Sequence, residues 1–315
     1  MSDLNDYDFK QSHLLGLADY SGDDILYLLE QAKTFREVLD RPVPKVPTLR
    51  DKTIVNLFYE SSTRTRLSFE LAQKRMGADV VNFSASTSST KKGESLKDTI
   101  RNISSMKIDM VVVRHESPGV PHFLTRCVDA TIINAGDGAH EHPTQALLDM
   151  FTMRQITPDL QGRKIAIIGD ISHSRVVRSN IIGLTKVGAE VTVCGPKSLM
   201  PVFVESLGVN VSYDLEETLG WCDIAMALRI QLERIGGGTD LFPSLREYHE
   251  SFGIKLNHLE NYPDFTVMHP GPINRGVEME SDVADSERAV ILDQVTNGVA
   301  VRMAVLYLLS GGARV

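Results

Sequence analysis

Residues 60–70 read ESSTRTRLSFE, a run that gathers hydroxyls and two arginines at one point of the chain. Ser61, Ser62, Thr63 and Thr65 offer O–H donors, and Arg64 and Arg66 offer guanidinium forks. Donors of this kind suit phosphate, because the planar fork matches two oxygens at once. The run opens LSFELAQKRMG, whose apolar residues recur at three and four and whose glycine marks a helix end. A helix N-terminus carries partial positive charge and favours acids by ~0.3–1 kcal/mol per charge. Two cations there oppose the local preference. A bound anion resolves the conflict, since the unpaired first-turn N–H groups and the arginines then serve the same charge. Charge-assisted hydrogen bonds of roughly 1.5–3 kcal/mol each outweigh the dipole term. The run lacks G-x-x-x-x-G-K-[ST], so it is not a nucleotide P-loop.

Other segments carry residues of similar promise. VVVRHESPG ends an apolar run with Arg114. INAGDGAHEHPTQALLD sets His142 and Gln145 three apart at a helix start marked by Pro143. His142 would donate to a carbonyl oxygen and Gln145 would pair with an amide-like group, or the stretch is an exposed polar turn. Metal is not expected there, because no third ligand stands at suitable spacing. FSASTSSTKKGES reads as a loop that closes on an anion through Lys91 or Lys92, or as a solvated linker. In the second half, IAIIGDISHSR puts Arg175 at a helix start, and AMALRIQLER presents Arg229, Gln231 and Arg234 after a strand. MHPGPINRG places Pro270, Gly271 and Pro272 in a rigid turn that can aim carbonyls at an amino group. The dinucleotide fingerprint G-x-G-x-x-G is missing, so no NAD is expected.

These residues need a scaffold that brings strand ends together. Apolar strand-like runs alternate with helical ones: TIVNLFY, TRLSFELAQKRM, ADVVNFS, SLKDTIRNISSM, DMVVVRH, GVPHFLTRCV, ATIINAG and HPTQALLDMFTMRQ. After the turn-rich TPDLQGR a second alternation runs through KIAIIGD, SRVVRSNIIGLTKVG, EVTVCGP, MPVFVESLG, NVSYD, LEETLGWC and DIAMALRI, with FTVMHPGP near its end. The expected fold is α/β, two domains, each a mostly parallel sheet flanked by helices and linked by interdomain helices. The long apolar VTNGVAVRMAVLYLLSGG is expected to return to the first domain. The expected boundaries are 1–143 plus 296–315 and 144–295. In such sheets ligands bind beyond the carboxyl ends of strands, where the unusual residues fall.

Composition narrows the classes. A net charge of −8 opposes non-specific nucleic-acid binding, which needs a basic surface. No apolar run reaches membrane-spanning length, and the first residues lack a secretory pattern, so no membrane partner and a cytoplasmic location are expected. Cys127, Cys194 and Cys222 show no paired spacing and read as buried reduced thiols. GGGTDLFPS at 236–244 reads as a flexible loop of unassigned role.

Taken together, SSTRTR, RHESPG, HPTQALLD, GDISHSR, LRIQLER and HPGPINRG resemble, in order, the motifs of the aspartate/ornithine carbamoyltransferase family. The resemblance spans nearly the whole chain. The ornithine branch would carry His-Cys-Leu-Pro where this chain has HPGP, so the aspartate branch is implied. The implied reaction moves the carbamoyl group of carbamoyl phosphate to the amine of L-aspartate, a step of pyrimidine synthesis, with no cofactor and no metal.

The resemblance also implies roles. Ser62, Thr63, Arg64 and Thr65 hold the phosphate. Thr65, Arg114 and His142 polarise the carbamoyl oxygen. Gln145 and the carbonyls of Gly271 and Pro272 hold its nitrogen. Arg175, Arg229, Gln231 and Lys92 hold aspartate. Ser88 and Lys92 reach a neighbouring subunit's site, which implies a homotrimer, with a larger assembly including a regulatory or dihydroorotase-type chain left open. Glu60 bridges to Arg175 and Arg234 in domain closure. Arg66 has no assigned contact. A silent binding subunit and a dehydrogenase are the competing readings.

Overall fold

The computed structural model describes residues 7–84, 94–231 and 244–311. The chain divides into two units, Met1–Phe151 with Thr296–Val315, and Thr152–Val295. Within the described residues, the first unit begins with α1 (Gly22–Leu39), β1 (Thr53–Phe58), α2 (Thr63–Arg75) and β2 (Asp79–Ser84). It continues through α3 (Leu96–Ser104), β3 (Met110–His115), α4 (Val120–Leu124), β4 (Thr131–Asp137) and the start of α5 (Pro143–Ile156). Its four-stranded sheet is parallel throughout, in the order β2-β1-β3-β4. Strands such as IVNLF and MVVV are buried along their length, as a sheet covered on both faces requires.

The second unit holds β5 (Lys164–Ile168), α6 (Arg175–Lys186), β6 (Glu190–Cys194), β7 (Asn210–Ser212), α7 (Leu215–Trp221) and β8 (Ile224–Ala227). Then come α8 (Leu245–Phe252), α9 (Leu256–Asn261), β9 (Thr266–Met268), α10 (Ser281–Ala284) and the start of α11 (Ile291–Leu309). Its parallel sheet is ordered β7-β6-β5-β8-β9. Both unit boundaries therefore fall inside helices, α5 at 151/152 and α11 at 295/296, whereas the expectation set the first at 143/144.

Some elements differ from the sequence reading. GVPHFLTRCV forms helix only over Val120–Leu124. MPVFVESLG gives a 3-10 turn at Val204–Leu207, because Phe203 before it adopts a left-handed conformation (φ 63°) that a continuing helix cannot use. Helices α8, α9 and α10 were not anticipated. Cys194 and Cys222 are buried, and burial pushes their thiols up to about 11 and about 12. Cys127 is half-buried, not buried as expected. No helix among the described residues is long and apolar enough to cross a membrane.

One polar contact in the first unit's interior sets the position of α2. Asn56 of β1 and Gln73 of α2 exchange amide hydrogen bonds, Asn56 Nδ2 to Gln73 Oε1 at 2.9 Å and Gln73 Nε2 to Asn56 Oδ1 at 2.8 Å. Both side chains are fully buried. Breaking either bond would strand a buried polar atom, which costs roughly 1–3 kcal/mol. This pair fixes both the rotation and the height of α2 on its strand, and hence the place where ESSTRTR ends up.

Candidate functional site

In the first unit the candidate residues follow three adjacent strands. The start of α2 follows β1, Arg114 sits near the end of β3, and His142 follows β4. Helices opening there differ from α1, α3, α7 and α8. The N-caps Ser21, Ser95, Asp214 and Ser244 of α1, α3, α7 and α8 each accept a backbone N–H through the side chain, and acids stand in those first turns. The first turn of α2 holds no acid, and its N-cap Ser62 makes no side-chain cap among the described residues. The same is true of α6 and its N-cap Ser174. The first turn of α5 holds no acid either. Thr65 is buried, whereas Thr63, Arg64 and Arg66 are exposed.

Arg114 is aimed by a bulge. Val113 pairs with Asn134 and His115 with Asp137, so Ala135 and Gly136 of β4 together face Arg114. Such a bulge bends the strand and redirects a side chain. Gly136 takes φ 113° to allow it. Arg114 Nη1 donates to Ala135 O at 3.2 Å, and Nη2 donates to Glu60 Oε1 at 2.7 Å. Expectation gave Glu60 to Arg175 and Arg234; within its own unit it is bonded to Arg114.

His142 is buried at the N-cap of α5, and its carbonyl accepts from Gln145 N at 3.0 Å and Ala146 N at 3.2 Å. The loop before it is held by Asp137, which is fully buried. Its carboxylate accepts from Gly119 N (2.7 Å), Asn134 Nδ2 (2.9 Å) and Glu141 N (3.2 Å), and lies 3.1 Å from His140 Nδ1. Glu141 in turn accepts from Leu17 N at 2.9 Å. Neither acid was singled out from sequence, although an acid one residue past a strand glycine, as in AGD, was a usable signal.

The second unit repeats the arrangement on β5, β8 and β9, again adjacent strands. Arg175 is the first residue of α6 and is buried, and Arg229 and Gln231 follow β8 half-buried. Two buried carboxylates hold their segment. Ile230 N donates to Glu278 at 3.0 Å and Gln231 N to Asp170 at 3.4 Å. Glu278 also accepts from Asn274 N and Nδ2, each at 2.8 Å, which ties the turn after HPGP to the Arg229 segment. Burial holds the Glu278 carboxyl above its ordinary range, against the pull of these N–H donors. Asp170 also takes His173 N at 3.1 Å. Gly169 before it has φ 134°, a conformation that strains any side chain, and an added Cβ would press on Leu228 Cβ at 3.1 Å, just past β8. Glu278 left no signal in the sequence, since its partners are backbone groups distant along the chain.

Gly271 N donates to His269 Nδ1 at 2.8 Å, His269 N donates to Gln294 at 3.0 Å, and the Gly271–Pro272 peptide is cis. Ser88, Lys91, Lys92 and Arg234, with most of the 236–244 loop, lie outside the described residues. No three metal-binding side chains come together among the described residues. Each unit thus presents arginines at strand ends, joined in the first by hydroxyls, an arrangement able to bind anions and polarise a carbonyl.

The chain is similar to known proteins over most of its length. The family model described as aspartate/ornithine carbamoyltransferase, carbamoyl-P binding domain, matches residues 12–155. The aspartate/ornithine carbamoyltransferase Asp/Orn binding domain matches residues 161–309. The aspartate carbamoyltransferase catalytic subunit of Christiangramia forsetii is 60% identical over 299 residues, covering 95% of this chain and 96% of that protein. The aspartate transcarbamoylase of Trypanosoma cruzi in complex with carbamoyl phosphate matches with a TM-score of 0.86 at 30% identity, over 95% of this chain and 96% of that one. The same enzyme in complex with carbamoyl aspartate and phosphate gives a TM-score of 0.85, again at 30% identity and the same coverage. The chain belongs to the aspartate/ornithine carbamoyltransferase family.

Proposed function

We propose that the chain transfers the carbamoyl group of carbamoyl phosphate to the amine of L-aspartate, forming N-carbamoyl-L-aspartate and phosphate, as its relatives' names and ligands indicate. The observation that carries it is the Arg114 guanidinium, fixed at a bulged strand end by Glu60 and Ala135. As the amine attacks, negative charge builds on the carbamoyl oxygen. Preset donors stabilise that charge without reorganising, and one such donor is typically worth ~2.7–4 kcal/mol. Arg114, His142 and Thr65 take this role in the proposal. Ser62, Thr63, Arg64 and Thr65 receive the phosphate, which leaves and accepts the amine's proton. Gln145, Gly271 and Pro272 hold the carbamoyl nitrogen. Arg175, Arg229 and Gln231 hold the aspartate carboxylates, with Lys92 as a further ligand. Glu60 and Arg234 carry the domain-closure part of the proposal.

The assembly belongs to the same proposal. Ser88 and Lys92 serve a neighbouring subunit's site in a homotrimer, and a cytoplasmic location fits the chemistry. The test is direct. Purified chain supplied with carbamoyl phosphate and aspartate, without added metal, is expected to release carbamoyl-aspartate and phosphate in equal amounts. Turnover with ornithine but none with aspartate would overturn the assignment.

A further inference from the structure

Gln145 and Asp149 lie one turn apart on α5, and Asp149 is fully buried. Gln145 Nε2 donates to Asp149 Oδ1 at 2.9 Å. The two ends of a glutamine amide differ: the NH2 donates and the oxygen accepts, whereas a carboxylate only accepts. This bond therefore decides which way the amide is turned. One amide N–H goes to Asp149, which leaves Oε1 on the opposite side of the amide from that carboxylate.

The carboxylate has a charged neighbour. Arg302 of α11 is buried, and its guanidinium interacts electrostatically with Asp149. Arg302 Nη1 donates to Gly298 O at 2.8 Å and to Ser68 Oγ at 3.0 Å, and its Cζ lies 5.0 Å from the centre of the Phe69 ring. Ser68 and Phe69 belong to α2, the helix that begins at the proposed phosphate site. Burial pulls Arg302 down to about 10, which still leaves it charged at neutral pH. A charged Arg302 favours the acceptor-only form of its neighbour. A protonated or amidated partner could donate instead, and the Gln145 amide could then turn round.

We infer that Asp149, backed by Arg302, is a positioning residue for donor selectivity: it presents Gln145 Oε1 to the NH2 of the carbamoyl group and so disfavours an acyl phosphate with a methyl in that place. This rests on the reading that Gln145 faces the carbamoyl nitrogen. A site built to hydrogen-bond a substrate group rejects the analogue lacking it, because the buried acceptor is then unpaired.

The experiment compares carbamoyl phosphate (kcat/KM) with acetyl phosphate (competitive inhibition constant), the latter having CH3 where the former has NH2. The proteins are wild type, Gln145→Ala, Asp149→Asn and the charge-neutral double variant Asp149→Asn/Arg302→Met. Both Asp149 variants are expected to lose at least ~10-fold of the preference for carbamoyl phosphate, with the KM for aspartate little changed. The double variant buries no lone charge, so it carries the test should the single variant not fold. Loss of preference in Gln145→Ala with full preference in the Asp149 variants would overturn the inference. Full preference in Gln145→Ala would remove the underlying reading of Gln145 instead, and the inference with it.

Discussion

Arg114 Nη2 donates to Glu60 Oε1 at 2.7 Å, across 54 residues of sequence. The two side chains are only 11% and 25% exposed. A half-buried charge pair of this kind acts less as a stabiliser than as an aiming device, because the fork is held at two points, Glu60 and Ala135.

Glu60→Gln keeps the shape and removes the charge. The guanidinium then loses its charged partner and is held less firmly, and a misplacement of about 1 Å can cost ~10²-fold in rate. A fall in kcat approaching that size is expected, with a smaller change in the KM for aspartate. Steady-state kinetics at saturating aspartate measure it, and unchanged kcat would show that Arg114 needs no such guide.

The two arginines of ESSTRTR should separate cleanly. Arg64→Ala removes a charged donor of roughly 1.5–3 kcal/mol, so inorganic phosphate should bind about 10- to 100-fold more weakly. Arg66→Ala should bind phosphate as wild type does. Titration calorimetry with phosphate decides it, and equal losses in the two variants would refute the distinction.

Glu278 makes stability depend on pH with a definite sign. Burial raises its native pKa above the ordinary 4.5. The folded protein therefore binds this proton more tightly than the unfolded chain does. Its contribution is complete below 4.5 and is lost as pH rises through the raised native value. Glu278→Gln has no proton to lose. In urea unfolding, wild-type stability minus variant stability should decline as pH rises from 4.5 toward neutrality. A constant difference across that range would show that Glu278 titrates alike in both states.

Shared sites predict complementation. Lys92→Ala and Arg64→Ala should each be inactive alone. Mixed and reassembled, they should regain part of the wild-type rate, since a mixed trimer can contain a site with both residues intact. No recovery despite subunit exchange verified by mass would place Lys92 and Arg64 in the same subunit's site.

The fold was legible because central strands such as IVNLF and MVVV are buried on both faces and announce themselves without any partner being known. Strand ends were equally legible, and with them Arg64, Arg114, His142 and Arg229. What could not be read was pairing. Glu60 with Arg114, Asn56 with Gln73, and Glu278 with the Ile230 N–H join groups that are near only after folding. Periodicity reports which face a residue is on and says nothing of what it meets there. The short helices α8 and α9 were missed because SLREYHESF and KLNHLEN are largely polar and offer few apolar repeats.

The return of α11 to the first unit has an effect on synthesis. The unit that runs from Thr152 to Val295 is one unbroken stretch and can fold as soon as it leaves the ribosome. The other must wait. Until residues 296 onward emerge, α2 lacks the Arg302 contact at Ser68, and Phe35 lacks its ring partner Tyr307, which stands 5.6 Å away in the finished molecule. The half of the protein that is made first is thus completed last. Helix α2 cannot acquire its full support before the second unit has been translated.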